Sequence, residues 1–327
     1  MPEPRRRSPL LVVLLLAGLA VACGIAFMTV GAKGSWDFIL PFRGTKLAGM
    51  VLVGYSVAVS TVLFQTITQN RILTPSVMGF DALYVLIQTC LVYFVGAAGL
   101  AGIDPRLLFF VEVAIMVTFA VALFRWLFSG PVRSIYLLML VGLVFGILFR
   151  SLSAFLQRVI DPNEFVVLQG QIFASFNSIN EQLLLVATVA VIAVSIVGWR
   201  LMHTFDVLAL GRETAVNLGV NYQRTVTVML ILIAILVSVS TALVGSTAFR
   251  GPAMFFGLLV SNLAYQLVPT HRHVYLLPAA ALIAIIFLAG GQTVLEQVFA
   301  FETALPIVIE FLGGIVFILL LLRGSAR

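Results

Sequence analysis

Charge is what this chain has least of. Only 10% of its 327 residues are Asp, Glu, Lys or Arg, against about a quarter in an ordinary soluble domain. A chain so poor in charge cannot clothe a soluble surface. Lysine is nearly absent: Lys33 and Lys46 are the two present, and neither follows a glycine. A phosphate-binding Walker loop needs Gly-Lys followed by Ser or Thr, so that backbone amides and the lysine hold the nucleotide. ATP hydrolysis by that route is therefore excluded. Cys23 and Cys90 both lie inside apolar runs, which argues against a disulfide framework or a thiolate metal site and for packed thiols. His271 and His273 flank Arg272 with no carboxylate or cysteine close in sequence. They make a poor metal site and read as solvated loop residues.

What fills the sequence instead is hydrocarbon, 61% hydrophobic residues and a mean hydropathy of +1.15. A span needs roughly 20 apolar residues to cross about 30 Å of lipid tails. The apolar runs are continuous and lack the alternation a barrel requires, so the expectation is an all-α, polytopic helical bundle. Ten spans are read at roughly 9–30, 46–68, 77–99, 107–128, 134–155, 182–199, 225–245, 252–268, 275–291 and 304–322.

The net charge of +6 would suggest nucleic acid in a soluble protein. Here the bases are spread singly between spans, and membrane orientation explains them better; no nucleic-acid partner is expected. Arg5, Arg6 and Arg7 place the N-terminus in the cytosol, and ten crossings return the C-terminus there. Twelve of the nineteen bases then fall inside, among them Arg71, Arg200, Arg212, Arg224 and Arg272. The acids lean outward: Asp37, Asp104, Asp161, Glu164, Glu181, Glu296 and Glu302. An odd number of spans would destroy this asymmetry. The basic start followed by an apolar run resembles a signal peptide, but the run continues to Val30 and further spans follow. The expectation is a multi-pass protein of a bacterial inner membrane. No soluble domain of useful size is left. The largest outer segment, Leu156 to Glu181, reads as a short surface helix and a Ser/Asn-rich turn.

Asp206 to Arg224 is the long polar interruption of the second half. Asp206 reads as the cap of a short helix, Gly211 breaks it, and a second turn from Arg212 ends at Gly219, a C′-type glycine. Two short helices joined at a glycine make a knob shaped for a groove in another protein. A helix pair lying on the lipid surface is the competing reading.

Four stretches in order resemble permeases of the iron-chelate and cobalamin ABC importer family. QTITQNRILTPSVMGFD (Gln65 to Asp81) is similar to the signature after the second span, and ALGRETAVNLGVN (Ala209 to Asn221) to the cytosolic coupling loop. GPAMFFGLLVSNLAYQL (Gly251 to Leu267) resembles the eighth span and ALPIVIEFLGGIVFILLLLR (Ala304 to Arg323) the last. The chain departs from common family patterns at Asn70 to Leu73, at Ser261 and Asn262, and at Gly313 to Ile315. These departures point toward the ferric-siderophore branch rather than cobalamin.

The resemblance implies a type II ABC importer permease forming the pathway for a ferric siderophore. Its expected partners are a second permease, identical or paralogous, two ATP-binding subunits and a periplasmic or lipoprotein solute-binding protein. The chain itself would bind no cofactor; ATP and magnesium belong to the ATPase. Leu208, Leu210, Ala215 and Leu218 would enter the ATPase groove, with Gly211 and Gly219 permitting the bends and Arg212 and Glu213 at the rim. Arg43 and Lys46 resemble the basic pair offered to the binding protein, with interfacial snorkelling as the alternative.

Arg150, Arg158 and Arg250 read as positive potential near the outer mouth, suited to an anionic chelate. Asn70 and Pro75 mark a break between spans, a structural turn or part of the pathway. Glu310 and Glu112 are acids set inside spans, where partners in the bundle, water access or a proton relay are open. An ion-coupled secondary transporter is the rival mechanism, and a cobalamin or haem permease the rival substrate class. A membrane enzyme is disfavoured, because no nucleophile and base cluster at a membrane face.

Overall fold

The computed structural model describes residues 8–32, 35–128, 135–172, 179–244, 253–298 and 314–315. Thirteen α-helices are described: α1 (Pro9–Thr29), α2 (Trp36–Thr68), α3 (Phe80–Ala101), α4 (Pro105–Phe128), α5 (Ile135–Val159), α6 (Pro162–Ile172), α7 (Glu181–Arg200), α8 (Met202–Leu208), α9 (Arg212–Asn217), α10 (Tyr222–Val244), α11 (Ala253–Leu267), α12 (His273–Ile285) and α13 (Gly291–Val298). A π-helical stretch, Ile286–Gly290, joins the last two. Among the described residues no strand occurs, as the unbroken apolar runs require.

Eight of these segments are long and apolar enough to cross a membrane, and α11 is a shorter apolar helix. They match nine of the ten expected spans. The tenth, with Glu310, lies outside the described residues apart from positions 314–315, and Arg250 is outside them too.

α2 and α10 form the centre. They are the most buried spans, and they pack on each other and, through α2, on α12. Ser60 and Thr61 of α2 and Ser240 and Thr241 of α10 line one small cavity, and Ser56 and Ser238 of the same helices are buried too. Apolar burial gains little in lipid, so close approach of backbones through small side chains holds such helices together. Gly79, Gly142 and Gly146 do the same between the turn before α3 and the middle of α5. A Cβ on Gly142 would stand 2.9 Å from Met78 Cα, and one on Gly79 2.8 Å from Gly146 Cα.

α2 begins at Trp36, ten residues before the expected boundary. Asp37 sits in its first turn, where a carboxylate suits the open amides, while Pro41 lies inside the helix, where its ring removes one internal hydrogen bond.

Polar contacts gather at two ends of the bundle. At one end Arg43 meets Glu296 at 3.8 Å, Thr45 donates to Glu181 Oε1, and Arg106 donates to Gln182 Oε1. At the other end Gln65, Gln69, Arg71, Asp206, Arg272 and His273 share one cavity. Residues 43 and 65 are 22 apart on α2, or about 33 Å at 1.5 Å per residue. Among the described residues, the loops carrying these contacts thus separate into the same two groups as in the sequence reading.

One backbone irregularity escaped the sequence reading. Gly96 has φ +76° inside α3, and the freed amide of Ala97 donates to Glu164 Oε2 of the surface helix α6 at 2.6 Å. Glu164→Ala should cost about 1–3 kcal/mol, the range for stranding a partly buried donor. Glu164→Gln should recover much of it, because an acceptor remains. Melting temperatures of the purified permease check this: equal values for Ala and Gln would contradict it.

Candidate functional site

The knob is present and its construction follows from its glycines. α8 and α9 are seven and six residues long, too short to persist alone. Gly211 has φ +99° and turns the chain between them. At the far side Gly219, φ +84°, takes the left-handed position after α9. Its amide bonds to Val216 O and that of Val220 to Ala215 O, both at 3.0 Å. That pair of bonds is a full Schellman closure. Arg212 lies over the Tyr222 ring at 5.7 Å and ties α9 to the start of α10.

The leucines divide. Leu208 and Ala215 are buried and hold the knob to the bundle, so they are not available to a partner's groove as expected. Leu210 and Leu218 are 62% and 61% exposed, and Val216, missed from the sequence, stands out with them at 53%. Arg212 and Glu213 are exposed beside them. Three apolar side chains on a polar loop leave a small unpartnered apolar tip.

Asp206 is not a cap for α8. The helix starts four residues earlier, at Met202, because Met202, Phe205 and Leu208 fall on one buried face. The carboxylate of Asp206 accepts instead from the backbone N–H of His273 at 2.8 Å and faces its Nδ1 at 2.7 Å. His273 is accordingly not a solvated loop residue: it is 1% exposed, whereas His271 is exposed. A cavity of about 660 Å³ borders this contact, lined also by Gln69, Arg71, Tyr265 and Arg272.

The basic pair at the opposite end is turned inward. Arg43 donates to the carbonyls of Phe27 and Val30 at 2.6 and 2.8 Å, satisfying carbonyls that the end of α1 leaves open. Lys46 is 7% exposed, with Nζ 4.1 Å from the Phe42 ring centroid. The early start of α2 places both within the helix rather than at its tip.

Arg150 is displaced from its expected place. α5 runs on to Val159, so Arg150 stands nine residues, about 13.5 Å, before the end of the helix. It is exposed and near enough to Asp81 to interact electrostatically. An ionisable residue in mid-span marks a pathway or a protein contact, because lipid tails penalise it by several kcal/mol. Arg158 is exposed close to the end of α5. Glu112 is buried and accepts from Gln88 Nε2 at 2.6 Å, the partner in the bundle that its depth demanded. Asn70 accepts from the amide of Ile72, and Pro75 opens the 3-10 turn Pro75–Met78; both shape the turn that seats Gly79 against α5.

The model of the FecCD transport family matches residues 9–323. The chain is 49% identical to the petrobactin import system permease protein YclO of Bacillus subtilis, over 96% of this chain and 97% of that protein. It is 33% identical to the petrobactin import system permease protein FatC of Bacillus anthracis, over 99% and 91% of the two chains. A solved inward-facing metal-chelate type ABC transporter chain shares the fold, with a TM-score of 0.83, 22% identity and coverage of 97% of this chain and all of that one. With the family match running from residue 9 to residue 323, the chain belongs to the FecCD transport family and is a permease, a transport subunit rather than an enzyme.

Proposed function

We propose that this protein is one of two unlike permeases in an ATP-driven importer of a ferric siderophore, with petrobactin the first candidate. The observation that carries the reading is 49% identity over 96% of the chain to a protein named for petrobactin import. The pairing is supported by a second permease of the same printed system in each organism. YclN of Bacillus subtilis is 25% identical to this chain, and FatD of Bacillus anthracis 24%. Against 49% and 33% for YclO and FatC, these values point to two distinct permease lines, this chain in one and its membrane partner in the other.

The knob end then faces the cytosol. Leu210, Val216 and Leu218 enter an ATPase subunit, which brings ATP and magnesium, while a solute-binding protein delivers the chelate at the opposite end. Arg43 contributes to that docking only through the carbonyls it holds at the end of α1, and Lys46, buried against Phe42, takes no direct part. The test is uptake of radio-iron-loaded petrobactin in vesicles holding both permeases, the ATPase and the binding protein. Petrobactin uptake well above that of other ferric chelates supports the reading; equal or preferential uptake of cobalamin or haem contradicts it.

Arg150 is the pathway residue with the clearest consequence. Its exposed guanidinium stands in mid-span, where only protein or water can accept it, and it suits an anionic chelate. Arg150→Gln should lower uptake about tenfold, the loss of one charge-assisted contact, with ATPase capture unchanged. Unchanged uptake would remove Arg150 from the pathway.

A further inference from the structure

Three helices meet at one buried imidazole beneath the knob. Asp206 comes from α8, His273 opens α12, and Thr66 lies in the last turn of α2. Thr66 Oγ1 is 2.9 Å from His273 Nε2. Thr66 Oγ1 is also 2.9 Å from Val62 O, so with Nδ1–H donating to Asp206 the single hydroxyl proton is shared between that carbonyl and the free Nε2 of the neutral ring. The Phe205 ring stands edge-on to the imidazole at 6.0 Å and fixes its plane.

The contact also closes a helix end. Arg272, at the N-cap position of α12, makes no side-chain cap bond. The first amide of the helix takes its acceptor from Asp206, 67 residues away on α8. A cap of this kind normally comes from the helix's own sequence; here another element supplies it. Gln69, just past α2, adds a second tie by donating to Leu208 O at 3.0 Å. The knob is thus bonded directionally to both α2 and α12, which themselves pack together at the centre of the bundle.

Resting on the reading of the knob as the ATPase contact, we propose that His273 is a positioning residue that passes displacement of the knob to α2 and α12. The Asp206–His273–Thr66 chain is then the joint between motor and pathway. The apolar contacts of Phe205 and Leu208 hold the knob down but have no preferred register along the helix. Charge-assisted hydrogen bonds do have one, so a push on Leu210 or Leu218 moves the first turn of α12 instead of sliding past it. The adjoining 660 Å³ cavity leaves space beside the joint.

The complete transporter in proteoliposomes, assayed for both radio-iron-loaded petrobactin transport and ATP hydrolysis, tests this. His273→Ala should capture the ATPase as the wild type does and keep hydrolysis within about threefold, while transport per ATP falls at least about tenfold. Asp206→Ala should behave alike. Asp206→Asn, which keeps the acceptor oxygen, should stay within about twofold of wild type. Thr66→Val, nearly isosteric, should lose about threefold in transport per ATP, and it decides the matter if His273→Ala fails to assemble.

A link that merely holds the fold would lower the yield of complex and leave transport per ATP alone. Wild-type transport per ATP in both His273→Ala and Thr66→Val overturns the joint while the knob reading stands. Full ATPase capture by a Leu210→Asp, Leu218→Asp variant overturns the knob reading and the joint with it.

Discussion

Replacing Leu210 and Leu218 together by Asp should abolish co-purification of the ATPase and reduce uptake to background, while the permease inserts and melts as the wild type does. Both side chains are more than half exposed, so their loss removes little internal packing. In a partner's groove each leucine contributes roughly 1.5–3 kcal/mol of burial, and a carboxylate placed there must be desolvated without a partner. Two such changes exceed about 4 kcal/mol, a factor of roughly a thousand in affinity. Leu208→Asp would be a poor version of this experiment, because that residue is buried and its loss would unseat the knob. Affinity capture with tagged ATPase gives the answer. Retained binding by the double variant would mean that the tip is a lipid-surface element.

Gly142→Leu should cause the largest loss of folded protein. The new Cβ would meet Met78 Cα at 2.9 Å and Met78 Cβ at 3.3 Å. A backbone atom cannot rotate away as a side-chain end can, so α5 must separate from the turn that starts α3. Overpacking alone costs about 1–3 kcal/mol, and a longer side chain in a two-backbone contact goes to the upper end or beyond. Against a total stability of about 5–15 kcal/mol, most of the permease would be lost on extraction. Gly198→Leu on α7, where a Cβ meets nothing within 4 Å, is the matched control and should express normally. Equal yields from the two variants would show that the Gly79, Gly142 and Gly146 contact does not hold the bundle.

The spans were legible because lipid imposes one requirement on every one of them: a continuous apolar run. The Arg and Asp/Glu asymmetry sorted the loops into two groups, and the pairs Arg43 with Glu296 and Asp206 with His273 each fall within one group. The two knob bends could be read from Gly211 and Gly219, since each needs positive φ. What failed were assignments that depended on a partner far along the chain. Asp206 looks like a local cap because helix starts commonly show such a residue, and His273 looks like a loop residue because no acid precedes or follows it. Their contact spans 67 positions, and no periodicity reports it. Lys46 and Arg43 misled for a related reason. Bases beside an apolar run suggest an interface, yet α2 extends past both and folds them inward. Arg150 was misplaced by the last turn of α5, where Gln157 and Arg158 continue a helix that the apolar pattern alone would end at 155.

The central claim is that this bundle moves its cargo only when a separate ATPase works it through the knob. Proteoliposomes holding the permease pair, with and without the ATPase and with the binding protein and radio-iron-loaded petrobactin outside, measure it directly. Uptake is expected to require the ATPase and internal ATP and to survive a protonophore. Uphill uptake by the permeases alone, driven by a proton gradient and abolished by the protonophore, would contradict it.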